Sequence, residues 1–231
     1  MRRHFLDYIY KIETHCHTKE FSPCGQLFAK DVINLYKEHG YDGINITDHF
    51  AYYLINKDAD PDKEIERFYS GCQIAIEEGD KAGIKVYHGA EYRLNCADSN
   101  NEYLLFGASR EFLKEAIGYF DKTYKEFYEF AKSAGVLVYQ AHPFRDGMSR
   151  TPDCCDGVEV YNAHPGHNSR NNLALEYVEE NGLLQLSGSD CHHQTHAGRG
   201  GILTKVVPQN DLEFFKLIKS NDFRLIRSTE N

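Results

Sequence analysis

The sequence predicts an α/β fold, built as a barrel of parallel strands, on three observations. Strand-sized apolar runs alternate with segments of helical period along most of the 231 residues, which is the pattern of repeated βαβ units. The runs number seven or eight, which favours closure into a barrel over an open doubly wound sheet. Imidazoles and carboxylates also stand at or just past the ends of these runs, and in such barrels the active groups sit at the carboxyl ends of the strands. No repeat, low-complexity tract or Gly/Ser-rich linker divides the chain, so residues 1–231 are expected to form a single domain.

The first strand is expected over Tyr10–Thr14. Phe28, Val32, Leu35 and Tyr36 then mark one stripe of a helix that Gly40 ends, and Gly43–Thr47 is the second strand. Asp60-Pro61 opens the next helix, with Asp as N-cap and Pro at the first helical position. Its apolar face is Ile65, Phe68, Cys72, Ala75 and Ile76. Lys85–Glu91 and Glu102–Gly107 follow as strands, then one long helical stretch over Arg110–Ala134, stopped by Gly135. Val136–Ala141 and Gly157–Tyr161 are strands, and Asn168–Asn181 is a helix stopped by Gly182. Leu183–Ser187 and Ile202–Val207 are strands, and Pro208–Ser220 is the closing helix.

Hydrophobic residues make up 41% of the chain, enough for a sizeable core, and the formal net charge is −9. Surfaces that track nucleic-acid phosphates are basic, so this charge argues against nucleic acid as the main partner. It leaves room for a small phosphorylated molecule held by local charge. The longest apolar stretches are strand-sized, so no membrane span is expected. The N-terminal Met1-Arg-Arg-His-Phe lacks the apolar core of a signal peptide. Seven scattered cysteines with no CxxC pair favour reduced thiols and a cytoplasmic location, and argue against structural zinc of the finger type.

Five short motifs carry the chemistry: His15-Cys-His17, Thr47-Asp48-His49, Gly89-Ala90-Glu91, Ala141-His142-Pro143 and Ser189-Asp190-Cys-His192. Residues two apart on a strand face the same side, about 6–7 Å apart at the backbone, so His15 and His17 can reach one ion. Asp190 and His192 repeat that spacing with a mixed oxygen and nitrogen pair. Asp48 and His49 are neighbours and face opposite ways, so His49 is the expected ligand and Asp48 orients another group. Glu91 ends a strand, where its two oxygens can bridge two ions. Such an oxygen-and-nitrogen set suits divalent metals, which lower the pKa of bound water and neutralise phosphoryl oxygens. Arg145 and Arg199 are candidate clamps for those oxygens, because a guanidinium matches phosphate with a planar fork.

The remaining histidines carry less. His88, three residues before Glu91, falls on the opposite strand face and is expected to be packed. His39 lies in the last turn of a helix, where a cation suits the dipole. His4 has no supporting context, and His164, His167, His193 and His196 lie in loops near the expected mouth.

Together, in this order and spacing, HxH at 15–17, TDH at 47–49, GxE at 89–91, AHP at 141–143 and SDxH at 189–192 resemble the PHP (polymerase and histidinol phosphatase) superfamily. The resemblance implies a distorted (β/α)7 barrel with a cluster of two to three divalent ions, zinc, manganese or iron, at the C-terminal ends of the strands. It implies phosphoester hydrolysis through a metal-bridging hydroxide. It places His15, His17, Glu91 and Asp190 on one ion, Glu91 and His142 on a second, and His49 and His192 on a third. The chain departs from the fullest pattern twice. Glu102 or Tyr103 stands where the family often has histidine, and Ser22-Pro23-Cys24-Gly25 stands where it often has His or Asp. Cys24, Glu102 and Tyr103 are therefore further candidate ligands, Cys24 being read otherwise as a small buried cysteine.

The expected activity is a metal-dependent phosphoesterase acting on a small phosphorylated molecule, with Asp48, Arg145 and Arg199 as the supporting catalytic set. The rivals are C–N hydrolysis of amidohydrolase type and phosphotyrosine-protein phosphatase action on the same site. A non-catalytic metal-binding module is the rival from another class. Tyrosines in Ala51-Tyr-Tyr-Leu and Asn101–Tyr103 are candidates for the pocket wall.

Overall fold

Residues 7–228 are described by the computed structural model; the segment that carries His4 and the signal-peptide reading lies outside them. Among the described residues the chain forms eleven strands and seven α-helices.

β1 (Tyr10–Cys16) leads through a loop to α1 (Ala29–Glu38), which buries Val32, Ile33 and Tyr36. Phe28, assigned to that stripe from the sequence, is the N-cap residue and is half exposed. β2 (Gly43–Ile46) and a short β3 (His49–Ala51) follow. The helix opened by Asp60-Pro61 begins as expected, Asp60 accepting the Asp62 N–H at 3.0 Å. It breaks at Tyr69 into α2 (Pro61–Phe68) and α3 (Ser70–Ala82), with Ile65, Phe68, Cys72 and Ala75 buried.

The expected strand Lys85–Glu91 is two strands, β4 (Lys85–His88) and β5 (Ala90–Arg93), in different sheets. Gly89 makes the step. A Cβ there would come within 2.7 Å of the Asn45 side chain and 2.8 Å of Thr47 Cγ2, so only glycine lets the backbone pass so close. β6 (Glu102–Phe106) precedes α4 (Arg110–Ala116) and α5 (Tyr124–Ser133). The single long helix expected here is interrupted by a 3₁₀ turn at Ile117–Tyr119. It restarts at a capping box in which Thr123 and Glu126 satisfy each other's backbone N–H groups.

β7 (Leu137–Gln140), β8 (Gly157–Asn162), α6 (Asn171–Asn181), β9 (Leu184–Gly188), β10 (Gly200–Thr204), α7 (Asp211–Ser220) and β11 (Arg224–Arg227) complete the order. β11 was not expected from the sequence.

The strands form two sheets, ordered β11-β10-β1-β2-β4 and β3-β5-β6-β7-β8-β9. The expected closed parallel barrel is not formed. β6 runs antiparallel to both β5 and β7, and β10 runs antiparallel to β1 and β11. The β5–β6 link contains no α-helix, whereas parallel neighbours need a long crossover; β6 and β7, and β10 and β11, are antiparallel although helices join them. A parallel bridge from Cys16 to Cys191 and the Thr14 hydroxyl bond to Ser187 O at 2.6 Å tie the two sheets beside the functional motifs.

Packing then fixes which side chains face those motifs. Phe50 on β3 and Tyr92 on β5 are fully buried against Phe68, Phe120 and Phe127, the Tyr92 and Phe127 rings stacking at 3.9 Å. Each such burial contributes about 1.5–3 kcal/mol. Because strand neighbours alternate faces, it forces His49 and Glu91, register partners in the parallel pair, onto the other side.

Candidate metal centre

Three strands, β1, β5 and β9, bring a buried group of donors together. His15 and His17 point the same way, with their Nε2 atoms 3.1 Å apart. His15 Nε2 lies 3.3 Å from Glu91 Oε1 and 3.4 Å from Asp190 Oδ1, and His17 Nε2 lies 3.4 Å from Glu91 Oε2 and 3.4 Å from Asp190 Oδ1. A tetrahedral ion with bonds of about 2.0–2.1 Å holds its ligand atoms about 3.3–3.4 Å apart. His15, His17 and Glu91 thus stand near the spacing such an ion requires, with Asp190 Oδ1 beside both imidazoles, all four at most 2% exposed.

Further donors continue the cluster. His142 Nε2 is 3.2 Å from Glu91 Oε1 and 3.6 Å from Glu102 Oε2. His49 Nδ1 is 2.8 Å from Glu91 Oε2 and 3.6 Å from Glu102 Oε1. His49 Nδ1 and Glu91 Oε2 are buried, yet neither has a hydrogen-bond partner despite their closeness. Misaligned toward each other, their lone pairs are orphans that a shared cation would satisfy. The donor set therefore fits divalent ions.

Of the two residues left open on β6, Glu102 faces this cluster. Tyr103, one residue on, faces away and bonds Thr151 Oγ1 at 2.8 Å, so it is not a candidate ligand. The His17 ring stacks on His49 at 4.4 Å and on His192 at 4.3 Å. Cys24 lies beside His49 and His192 and is exposed, not the buried packing cysteine expected.

Two donor residues hold uncommon backbone conformations, His142 with φ 30° and Asp190 with φ 51°. Non-glycine residues occupy this region at a cost and persist where the surroundings over-determine them. Here Glu159 and Asn162 on β8 do so. Glu159 Oε2 accepts the His142 N–H at 3.2 Å and the Asn162 amide at 2.8 Å, while Asn162 Nδ2 also reaches Asp190 Oδ2 at 3.2 Å. Glu159 Oε1 accepts from His15 Nδ1 at 2.9 Å, which leaves His15 Nε2 free for an ion.

Glu13 fastens the strand ends from the other side, its Oε1 accepting the backbone N–H groups of Thr14, His15 and Ser189 at 2.9–3.0 Å. Sequence reasoning missed Glu159, Glu13 and Asn162. The available signal was an ionisable residue inside an apolar strand, which demands a partner when buried.

Charge balances within the cluster. Burial alone would raise the Glu91 carboxyl, but the His15 and His49 charges and the His142 hydrogen bond hold it well below the usual range. Burial would lower His15, but Asp190, Glu159 and Glu91 push it well up. His17 moves down, through burial and then through His192 and His49.

Asp48 is buried outside the cavity. It accepts from Thr18 N and Ser22 Oγ at 2.7 and 2.6 Å, and Ser22 Oγ stands 3.5 Å from His17 Nδ1. Asp48 thus reaches His17 only by way of Ser22, and burial raises its pKa to about 6 against the lowering by its hydrogen bonds.

The centre opens into a cavity of about 480 Å³. Arg145 lines it, held at 2.5 Å by both Asp190 Oδ2 and Asn162 Oδ1. Arg93, which sequence reasoning also missed, lines the same wall and contacts Glu102 at 3.4 Å. Tyr53 and Leu54 from the tyrosine-rich loop face in. Arg199 does not: it lines a neighbouring cavity, and its guanidinium reaches Thr195 O at 3.5 Å. His88 packs outside the site against Asp211 Oδ2 at 2.8 Å.

No helix among the described residues is long and apolar enough to cross a membrane. No curated protein matches the chain. Solved structures do, at identities that establish the fold alone. A two-domain Bacteroides vulgatus protein, described as containing a predicted PHP-like metal-dependent phosphoesterase, superposes with TM-score 0.64 at 18% identity over 96% of this chain and 66% of its own. A Chromobacterium violaceum amidohydrolase with bound sulfate gives 0.59 at 14% identity, covering 94% and 98%. A lesion-specific endonuclease from Pyrococcus furiosus gives 0.60 at 16%, covering 94% and 57%. This chain thus spans about two thirds or less of the first and third. Residues 13–216 match the PHP domain model, and the chain belongs to the PHP domain family.

Proposed function

We propose that the protein is a metal-dependent hydrolase that cleaves phosphate esters of a small molecule. The observation that carries the reading is the convergence of His15, His17 and Glu91, with Asp190 beside both imidazoles, on one buried point that opens into a cavity. When bound, divalent ions there would activate water and neutralise substrate oxygens. His142 and Glu102 would extend the set to a second ion that shares Glu91. Cys24, His49 and His192 would supply a third.

Electrostatics favour an anionic substrate once ions are present. Glu91, Glu102 and Asp190 all line the cavity and would repel phosphate from the bare site, so ions must overcompensate them before phosphate enters. Arg145 and Arg93 then face the anion from the cavity wall, Arg145 oriented by the same Asp190 that serves the centre. A cavity of about 480 Å³ suits a small molecule, and the net charge of −9 disfavours a polynucleotide.

Elemental analysis of gently purified protein, paired with hydrolysis of an aryl phosphate in manganese buffer, tests the reading. Two or three equivalents of metal with chelator-sensitive phosphate release is the expected result. Bound metal that releases ammonia or acid from amides but no phosphate would transfer the site to C–N hydrolysis. Bound metal with no turnover of either class would leave a binding module.

A further inference from the structure

Three rim histidines, His164, His167 and His196, line the cavity outside the donor cluster. A ring nitrogen of each of His164, His192 and His196 lies within 4.8 Å of the other two, a spacing compatible with one more ion. The hydrogen bonds argue against an ion there. His164 Nδ1 accepts the Gly166 N–H at 3.0 Å, and His196 Nδ1 accepts the His192 N–H at 3.4 Å. A backbone N–H can only donate, so each Nδ1 keeps its lone pair for that bond and the neutral ring carries its proton on Nε2. An Nε2–H group donates and does not ligate.

His15 is wired the opposite way. Its Nδ1 faces the Glu159 carboxylate, an acceptor, so the proton sits on Nδ1 and Nε2 is open to an ion. The same side chain is thus set as ligand in the depth of the site and as donor at its rim. The His164 and His196 rings meet edge to face at 4.2 Å, one from the loop after β8 and the other from the loop after β9, so two separate segments bring the two rings into contact.

We infer that His164 and His196 form a donor pair for anionic oxygens of the substrate, of the phosphate class, and not a further cation site. This rests on the phosphoester reading above. Arg145 on the same cavity wall supplies the charge that the neutral pair lacks.

Titration of manganese-loaded protein with inorganic phosphate, beside metal counting, tests the pair. His164→Ala and His196→Ala should each retain full metal content and weaken phosphate binding by about tenfold or more, the loss of one hydrogen bond to a charged group. His164→Gln, whose side-chain amide N–H can stand in for Nε2–H, should recover most of that affinity. Loss of one metal equivalent in the alanine variants would make the cluster a cation site and overturn the inference. Unchanged phosphate affinity in them would overturn it equally while leaving the phosphoester reading in place. Metal-loaded wild-type protein that binds no phosphate would remove that reading, and the donor pair with it.

Discussion

The inner and outer halves of the centre are built differently. His15, His17, Glu91 and Asp190 are at most 2% exposed, and two of them are braced from behind, His15 by Glu159 and Asp190 by Asn162 and Arg145. The outer group is looser: the His49 and His192 side chains are 12% and 14% exposed, and Cys24 stands in the open mouth. The contrast teaches where preorganisation resides. Buried donors with fixed partners cost no reorganisation when an ion arrives, whereas rim donors must be ordered by it.

Breaking the inner half should have the largest effect. His17→Ala removes a buried donor shared by the inner and outer groups and should eliminate an equivalent of tightly bound metal. Activity should fall by more than the roughly 10–100-fold that loss of a supporting partner costs. Retained metal and turnover in that variant would show that the tetrahedral spacing is not the working site.

Glu159→Gln probes the support rather than the donor. The glutamine can still accept from His15, but its amide would face the N–H groups that Glu159 Oε2 accepts from His142 and Asn162. Metal affinity, measured by chelator competition, should drop about 10–100-fold while turnover at saturating metal is largely kept. An unchanged affinity would mean that the fold alone holds His15 and His142 in place.

The sequence made the inner half legible only in part. The two-residue spacing of His15 and His17 sufficed to put both rings on one side, because strand alternation is a local rule. Likewise, Asp60-Pro61 announced its helix start. Glu159 was invisible to that kind of reasoning, since its partner His15 is 144 residues away. The antiparallel runs of β6 and β10 escaped for a related reason: runs of apolar residues do not declare direction, and neither do intervening helices, since α4 and α5 join the antiparallel pair β6 and β7. The step at Gly89 hid inside what reads as one continuous strand. Arg199 was placed in the site from its glycine-rich loop, but its N–H and that of Gly200 bond to Ser189 Oγ, and its side chain faces the neighbouring cavity.

The smallest effect should come from the outer half. Burial raises the Cys24 thiol, but hydrogen bonds with His192 and His49 outweigh it and bring it to about 7. In metal-free protein, Cys24 should therefore be alkylated by iodoacetamide with a rate that climbs as pH passes 7, since the thiolate is the nucleophile. If an outer ion uses Cys24 with His49 and His192, added zinc or manganese should protect the thiol. Cys24→Ser should then lower activity by less than about tenfold, below the range for supporting residues of the inner half. Equal alkylation with and without metal would remove Cys24 from the outer donors. The rim would then be two histidines beside a reactive thiol, and the number of ions would be set by the inner half and Glu102 alone.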